Sequence, residues 1–289
     1  MTMVRFPEGF VWGTATSSYQ IEGAAFEDGR MPSIWDTFCN KPGAIVDGSN
    51  GLVADDHYHR YDSDVALMAE LGANAYRFSV AWPRILPNGT GEVNQKGVDF
   101  YKRLLDSLEQ RNITPYATLY HWDLPQVLSD RGGWTQRFIV DAFAEYTDLI
   151  SRALGDRVKH WMTINEPWVS SFVGYGIGEH APGLKDWESY LRAGHHLLLA
   201  HGKAVRVLRA NGDADTKIGL ANAMTWSSPA SERPEDVAAA ARHHSFFNRW
   251  FLDPLLKGEY PQDVFEAVGG KLVPIEPGDM EIIAAPIDF

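Results

Sequence analysis

Between residues 9 and 251 the sequence repeats one pattern five times: an apolar, strand-like run, a loop, then an amphipathic helical stretch. The strand-like runs are 9–16 (GFVWGTAT), 74–82 (NAYRFSVAW), 113–122 (ITPYATLYHW), 158–165 (VKHWMTIN) and 217–226 (KIGLANAMTW). Helical periodicity follows at 55–72, 94–112, 135–154, 188–212 and 234–251. In 94–112, for example, Val98, Tyr101, Leu104, Leu105 and Leu108 form one stripe. Such alternation demands parallel strand pairing, because parallel strands need crossover connections.

Two architectures satisfy it, a doubly wound sheet and a (β/α)8 TIM barrel. No G-x-G-x-x-G follows the first strand, which leaves a dinucleotide site without support. Residues able to do chemistry end several different strands, the barrel habit. Five units fill about 250 residues, so eight would need roughly 400. A sixth strand begins near 285–289 (APIDF). The expectation is an incomplete barrel: the first five βα units with long strand-end loops, residues 1–289 forming one portion of a catalytic domain and strands six to eight absent.

Composition narrows the function. The net charge of -12 argues against nucleic acid, whose phosphates want a basic surface. No apolar run reaches membrane-spanning length and the N-terminus shows no signal-peptide pattern, so no membrane partner is expected. The single cysteine, Cys39, allows no disulfide framework and is expected to be inert; a reducing, cytoplasmic location fits. His57 and His59, His195 and His196, and His243 and His244 lack ligand spacing, so no metal is expected, and no cofactor.

The ten tryptophans are more telling. Trp82, Trp122, Trp168 and Trp226 each fall near a strand end, where indole faces suit the C–H faces of sugar rings. Taken singly each could equally plug the top of the core, but four in register form a ring that points to a carbohydrate cleft. Glu166, at the end of the fourth strand, is the sharpest catalytic candidate. In an aromatic cleft its carboxyl would stay protonated longer, as a general acid requires. The alternative is a structural ion pair with Arg77. Asn165 offers a donor and an acceptor suited to a sugar hydroxyl.

TINEP (163–167) resembles the acid/base motif of glycoside hydrolase family 1, the β-glucosidase family. FVWGTATSSYQIEGA (10–24) resembles that family's N-terminal signature, and YRFSVAWPRILP (76–87), LYHWDLP (119–125) and YGIGEHAPG (175–183) resemble its strand-end segments. The resemblance runs from Phe6 to Phe289. It implies a retaining β-glycosidase, a β-glucosidase acting on β-glucosides or short cello-oligosaccharides. Glu166 would be the acid/base. Asn165 would bind the sugar 2-hydroxyl, Gln20, His121 and Trp122 the far hydroxyls, and Trp168 would border the aglycone. Arg77 would help keep the nucleophile ionised.

The family's nucleophile is a glutamate in a TENG-like segment, and this sequence has none. Glu22 and Glu179 are available carboxylates, with nothing to place either under an anomeric carbon. A complementing C-terminal chain or self-association would have to supply the second carboxylate. A non-catalytic sugar-binding or assembly fragment and a 6-phospho-β-glycosidase stand as alternatives.

Overall fold

A computed structural model describes residues 5–289. Five parallel strands pair in sequence order: β1 (Gly13–Ala15), β2 (Ala75–Ser79), β3 (Thr114–Tyr120), β4 (His160–Asn165) and β5 (Lys217–Ala221). The long crossovers are α1 (His57–Glu70), α2 (Gln95–Gln110), α3 (Phe138–Leu154) and α4 (Trp187–Asn211). After β5 the chain continues through α5 (Pro234–His244), a π-helical turn at Ser245–Arg249, and α6 (Trp250–Lys257).

The crossovers are helical because each carries an apolar stripe with something to bury it against. On α2, Val98, Tyr101, Leu104, Leu105 and Leu108 are all buried, as the spacing predicts. On α3, Tyr146 is buried and its hydroxyl donates to Val80 O (2.9 Å) and Leu119 O (3.1 Å). One side chain thus satisfies backbone acceptors at the ends of two neighbouring strands. Gly72, with φ 79°, follows α1 and takes the left-handed turn that glycine adopts without a Cβ clash.

Among the described residues the sheet is open, with β1 and β5 at its edges. Beyond β5, the Asp288 N–H donates to Ile218 O (2.7 Å) and the Ile218 N–H to Asp288 Oδ2 (2.8 Å). The chain therefore comes alongside β5 where a sixth strand is expected. No described helix is long and apolar enough to cross a membrane.

Several expectations need correction. β1 spans three residues rather than eight, and β5 stops at Ala221. Trp226 consequently lies beyond the strand and is 87% exposed. Trp82 is fully buried in the short helix Trp82–Ile85, where it stacks on Tyr146 at 5.0 Å and donates Nε1–H to Gly89 O (2.9 Å). The four tryptophans therefore form no ring in register: Trp82 is core and Trp226 is surface. The helix read at 234–251 is broken by the π turn before Trp250. The loop before residue 53 holds a helix, Ile34–Cys39, started by a capping box in which Ser33 and Asp36 exchange hydrogen bonds.

Candidate active site

Because the strands are parallel, their C-terminal ends share one rim, and the segments leaving β1, β3 and β4 meet there. Two non-glycine residues on this rim adopt left-handed backbone: Trp122 (φ 75°) after β3 and Glu166 (φ 49°) after β4. Such conformations cost of order 1–3 kcal/mol each and persist where the surroundings over-determine them. The restraints are visible. The Glu166 N–H donates to Ala221 O of β5 (2.7 Å), its carbonyl accepts from Ser170 N–H (3.0 Å), and the β4–β5 register shifts between Met162 and Asn165. A shift of this kind re-aims the residue that follows it.

Asn165 is buried and fixed at both ends. Arg77, on β2, donates to Asn165 Oδ1 (2.6 Å), and Trp122 Nε1–H donates to the Asn165 carbonyl (2.9 Å). Arginine only donates, so the amide oxygen is the atom it holds, which leaves Asn165 Nδ2 as the free donor. Arg77 also donates to Thr118 Oγ1 of β3 (2.9 Å). The indole N–H of Trp122 is therefore engaged inward, and what Trp122 offers the rim is its ring face.

Glu166 is half-buried, and desolvation raises its carboxyl above the usual glutamate value, with Arg77 opposing the rise. The ion-pair alternative is not realised as a direct contact, because the Arg77 guanidinium is hydrogen-bonded to Asn165 and Thr118 instead. His121 is pushed down to about 3, first by burial and then by Arg77, and is a neutral imidazole at neutral pH.

Beside this group lies a cavity of about 390 Å³ whose lining includes Gln20, Trp35, Cys39, His121, Trp122 and His180. Ser17 Oγ–H donates to Gln20 Oε1 (2.6 Å), which leaves the Gln20 amide N–H groups to donate elsewhere. His180 packs against Trp35 (5.3 Å) and Trp122 (5.4 Å), making one wall aromatic. Trp122 joins the two groups, lining the cavity and bonding to Asn165. Trp168 is separate from the cavity lining, half-buried between Phe172 (4.9 Å) and Phe247 (4.1 Å).

Trp35, Tyr19, Cys39 and His180 are cavity residues that sequence reasoning missed. Cys39, expected to be inert, lines the cavity and accepts from Tyr19 Oη–H (3.4 Å). The Ser33/Asp36 capping signal could have revealed the helix that brings Trp35 and Cys39 there. The histidines set aside as metal ligands have protein partners. His195 meets Tyr260 and Asp279, His196 meets the Trp134 carbonyl, and His57 meets Asp64. Glu22 is buried and bound by Arg84 and Tyr101, while Glu179 is exposed.

The rim is thus that of a parallel α/β protein with neutral donors and one half-buried carboxyl gathered at its strand ends. Residues 2–289 match the family model described as glycosyl hydrolase family 1. The chain belongs to this family. It is 50% identical to β-glucosidase A of Acetivibrio thermocellus, over all of this chain and 65% of the relative. It is 51% identical to a 1,4-β-D-glucan glucohydrolase of Thermotoga neapolitana, over 99% of this chain and 68% of the relative. The solved family 1 β-glucosidase from Thermotoga maritima superposes with a TM-score of 0.96 at 48% identity, covering all of this chain and 65% of that one. The chain spans about two thirds of the length of these relatives.

Proposed function

We propose that this chain carries the acid/base half of a retaining β-glycosidase, most specifically a β-glucosidase that takes β-glucosides and short cello-oligosaccharides. The observation that carries the reading is the half-buried Glu166, its carboxyl raised by desolvation, next to an Asn165 whose amide Arg77 has oriented. In the first step Glu166 would give its proton to the glycosidic oxygen as the bond to the anomeric carbon breaks and a second carboxylate attacks that carbon. In the second, Glu166 would take a proton from the water that releases the sugar. Gln20 and His121 would hold glycone hydroxyls and Trp122 would lie against the ring. Trp168 would border the leaving group.

A retaining mechanism needs the second carboxylate about 5 Å from the first. Among the described residues, Glu22 is committed to Arg84 and Tyr101, Glu179 is exposed, and the charge that acts on Glu166 is that of Arg77. We therefore assign the nucleophile to residues outside these 289, whether on the same polypeptide or on a companion chain, which would also add the remaining strands of a (β/α)8 barrel to this portion of the catalytic domain. Arg77 would then sit between both carboxylates.

The acidic balance of the chain, with a net charge of -12, favours an unphosphorylated sugar over a 6-phospho-glycoside. The test pairs calorimetry with glucose and an assay with an aryl β-glucoside on the 289-residue chain. Glucose binding that Gln20→Ala and His121→Ala weaken, without turnover, supports the reading. Ordinary turnover by this chain alone overturns the assignment of the nucleophile elsewhere. Absence of glucose binding overturns the sugar site.

A further inference from the structure

Next to the cavity, and sharing Tyr19 and Gly51 with it, lies a buried polar cluster that the proposed reaction does not use. It contains two arginines and three carboxyls. Arg84 Nε–H donates to Glu22 Oε2 (3.0 Å), and Tyr101 Oη–H donates to Glu22 Oε1 (2.6 Å). Arg30 donates to Asp36 Oδ2 (2.8 Å) and to Ala25 O (3.0 Å). The third carboxyl, Asp123, is 1% exposed and has no cation of its own. It accepts from Ser18 Oγ–H (2.6 Å), and its Oδ1 is buried without a partner.

Ser18 is tied in turn to β2: its N–H donates to Ser79 Oγ (2.7 Å) and its Oγ accepts from Ser79 Oγ–H (3.0 Å). The chain of bonds Ser79–Ser18–Asp123 therefore joins the ends of β1, β2 and β3. Ser18 lies two residues before Gln20, and Asp123 immediately follows His121 and Trp122. An ionised carboxylate left unpaired in this interior would be very costly, whereas a neutral acid is tolerable. The charge count agrees, because Glu22 and Asp36 already balance Arg84 and Arg30.

We infer that Asp123 is a positioning residue: through Ser18 it locks the segment carrying Gln20 against the segment carrying His121 and Trp122, and so sets the spacing of the donors that grip the sugar. This rests on the sugar-site reading above. The groups facing Asp123 are Ser18 and Glu22 from the β1 segment, Arg30 from the following loop, Tyr120 of β3 and Tyr146 of α3, with Arg84 and Tyr101 behind Glu22. Burial pushes Asp123 up to about 7; Glu22 adds to the rise, while the Ser18 bond and Arg30 oppose it. Ionisation would leave a charge without a cation of its own there while strengthening the bond that Ser18 donates.

The test compares the wild-type chain with Asp123→Ala, Asp123→Asn and Ser18→Ala, by glucose calorimetry from pH 5 to 8.5 and by amide hydrogen exchange. Loss of the link is expected to weaken glucose binding about tenfold in Asp123→Ala and Ser18→Ala. Asp123→Asn, which still accepts from Ser18, is expected to bind like wild type at pH 5 and to remove the pH dependence that wild type shows around pH 7. Exchange is expected to speed up together at residues 16–22 and 121–124 in the two alanine variants, while β3 and β4 stay protected. Unchanged affinity in Asp123→Ala, beside a wild-type chain that binds glucose, overturns the inference alone. If wild type binds no glucose, the sugar site falls and exchange decides the link: joint loss of protection supports it, and loss confined to one segment overturns it.

Discussion

Arg77 donates to Asn165 Oδ1 at 2.6 Å across the rim, joining β2 to the last residue of β4 beside the half-buried Glu166. One guanidinium thereby fixes the orientation of an amide, tempers the rise of a carboxyl and helps keep His121 neutral.

A double-mutant cycle tests that link. Arg77→Met and Asn165→Ala are each expected to cost about 1–3 kcal/mol, since a hydrogen bond from a charged donor is lost at a largely buried site. The double variant should fall short of the sum by about 1 kcal/mol or more. Urea unfolding of the four proteins measures it, and strict additivity would mean the two residues act independently.

Trp82 and Trp226 should separate sharply. Trp82→Ala empties a fully buried site against Tyr146 and is expected to destabilise by about 3–5 kcal/mol. Trp226→Ala, on a largely exposed ring, should fall within about 0.5 kcal/mol of wild type. Equal effects in unfolding experiments would restore the idea of a matched tryptophan ring.

The left-handed backbone at Glu166 gives a third test. Glu166→Gly is expected to be about 1 kcal/mol more stable than Glu166→Ala, because alanine keeps the Cβ that disfavours φ 49°. Thermal unfolding of the two variants checks it; an alanine variant of equal stability would remove strain from the description of the site.

Asp123 should leave a signature in the pH dependence of stability. Its folded value, about 7, lies above the 3.8 of an unperturbed aspartate. Folding therefore favours the protonated form, and the associated stability is present below about pH 4 and is lost as pH rises through 7. Asp123→Asn should flatten that part of the profile. A slope in the variant identical to wild type would assign it to other groups.

The crossover helices were legible because their stripes obey a strict period: every member of the apolar stripe read on α2 is buried. Asn165 and Glu166 stood out because a strand pattern ends abruptly at proline, and strand ends on one rim are where parallel folds gather chemistry. Trp82 and Trp226 were misread because sequence position near a strand end does not reveal rotation into the core or an early end to pairing. Trp35 and His180 were invisible for another reason: they sit on irregular segments, and only tertiary packing brings them to Trp122. Asp123 was overlooked beside its aromatic neighbours, since its isolation from cations appears only once Arg30 and Arg84 are seen to be paired elsewhere.

The most direct measurement follows the Glu166 carboxyl carbon by NMR in the 289-residue chain as pH is raised. A proton donor held in a desolvated rim should titrate above the ordinary glutamate value of 4.5, and Glu166→Gln should erase that single resonance. A carboxyl that titrates at or below 4.5 would contradict the assignment of Glu166 as the acid.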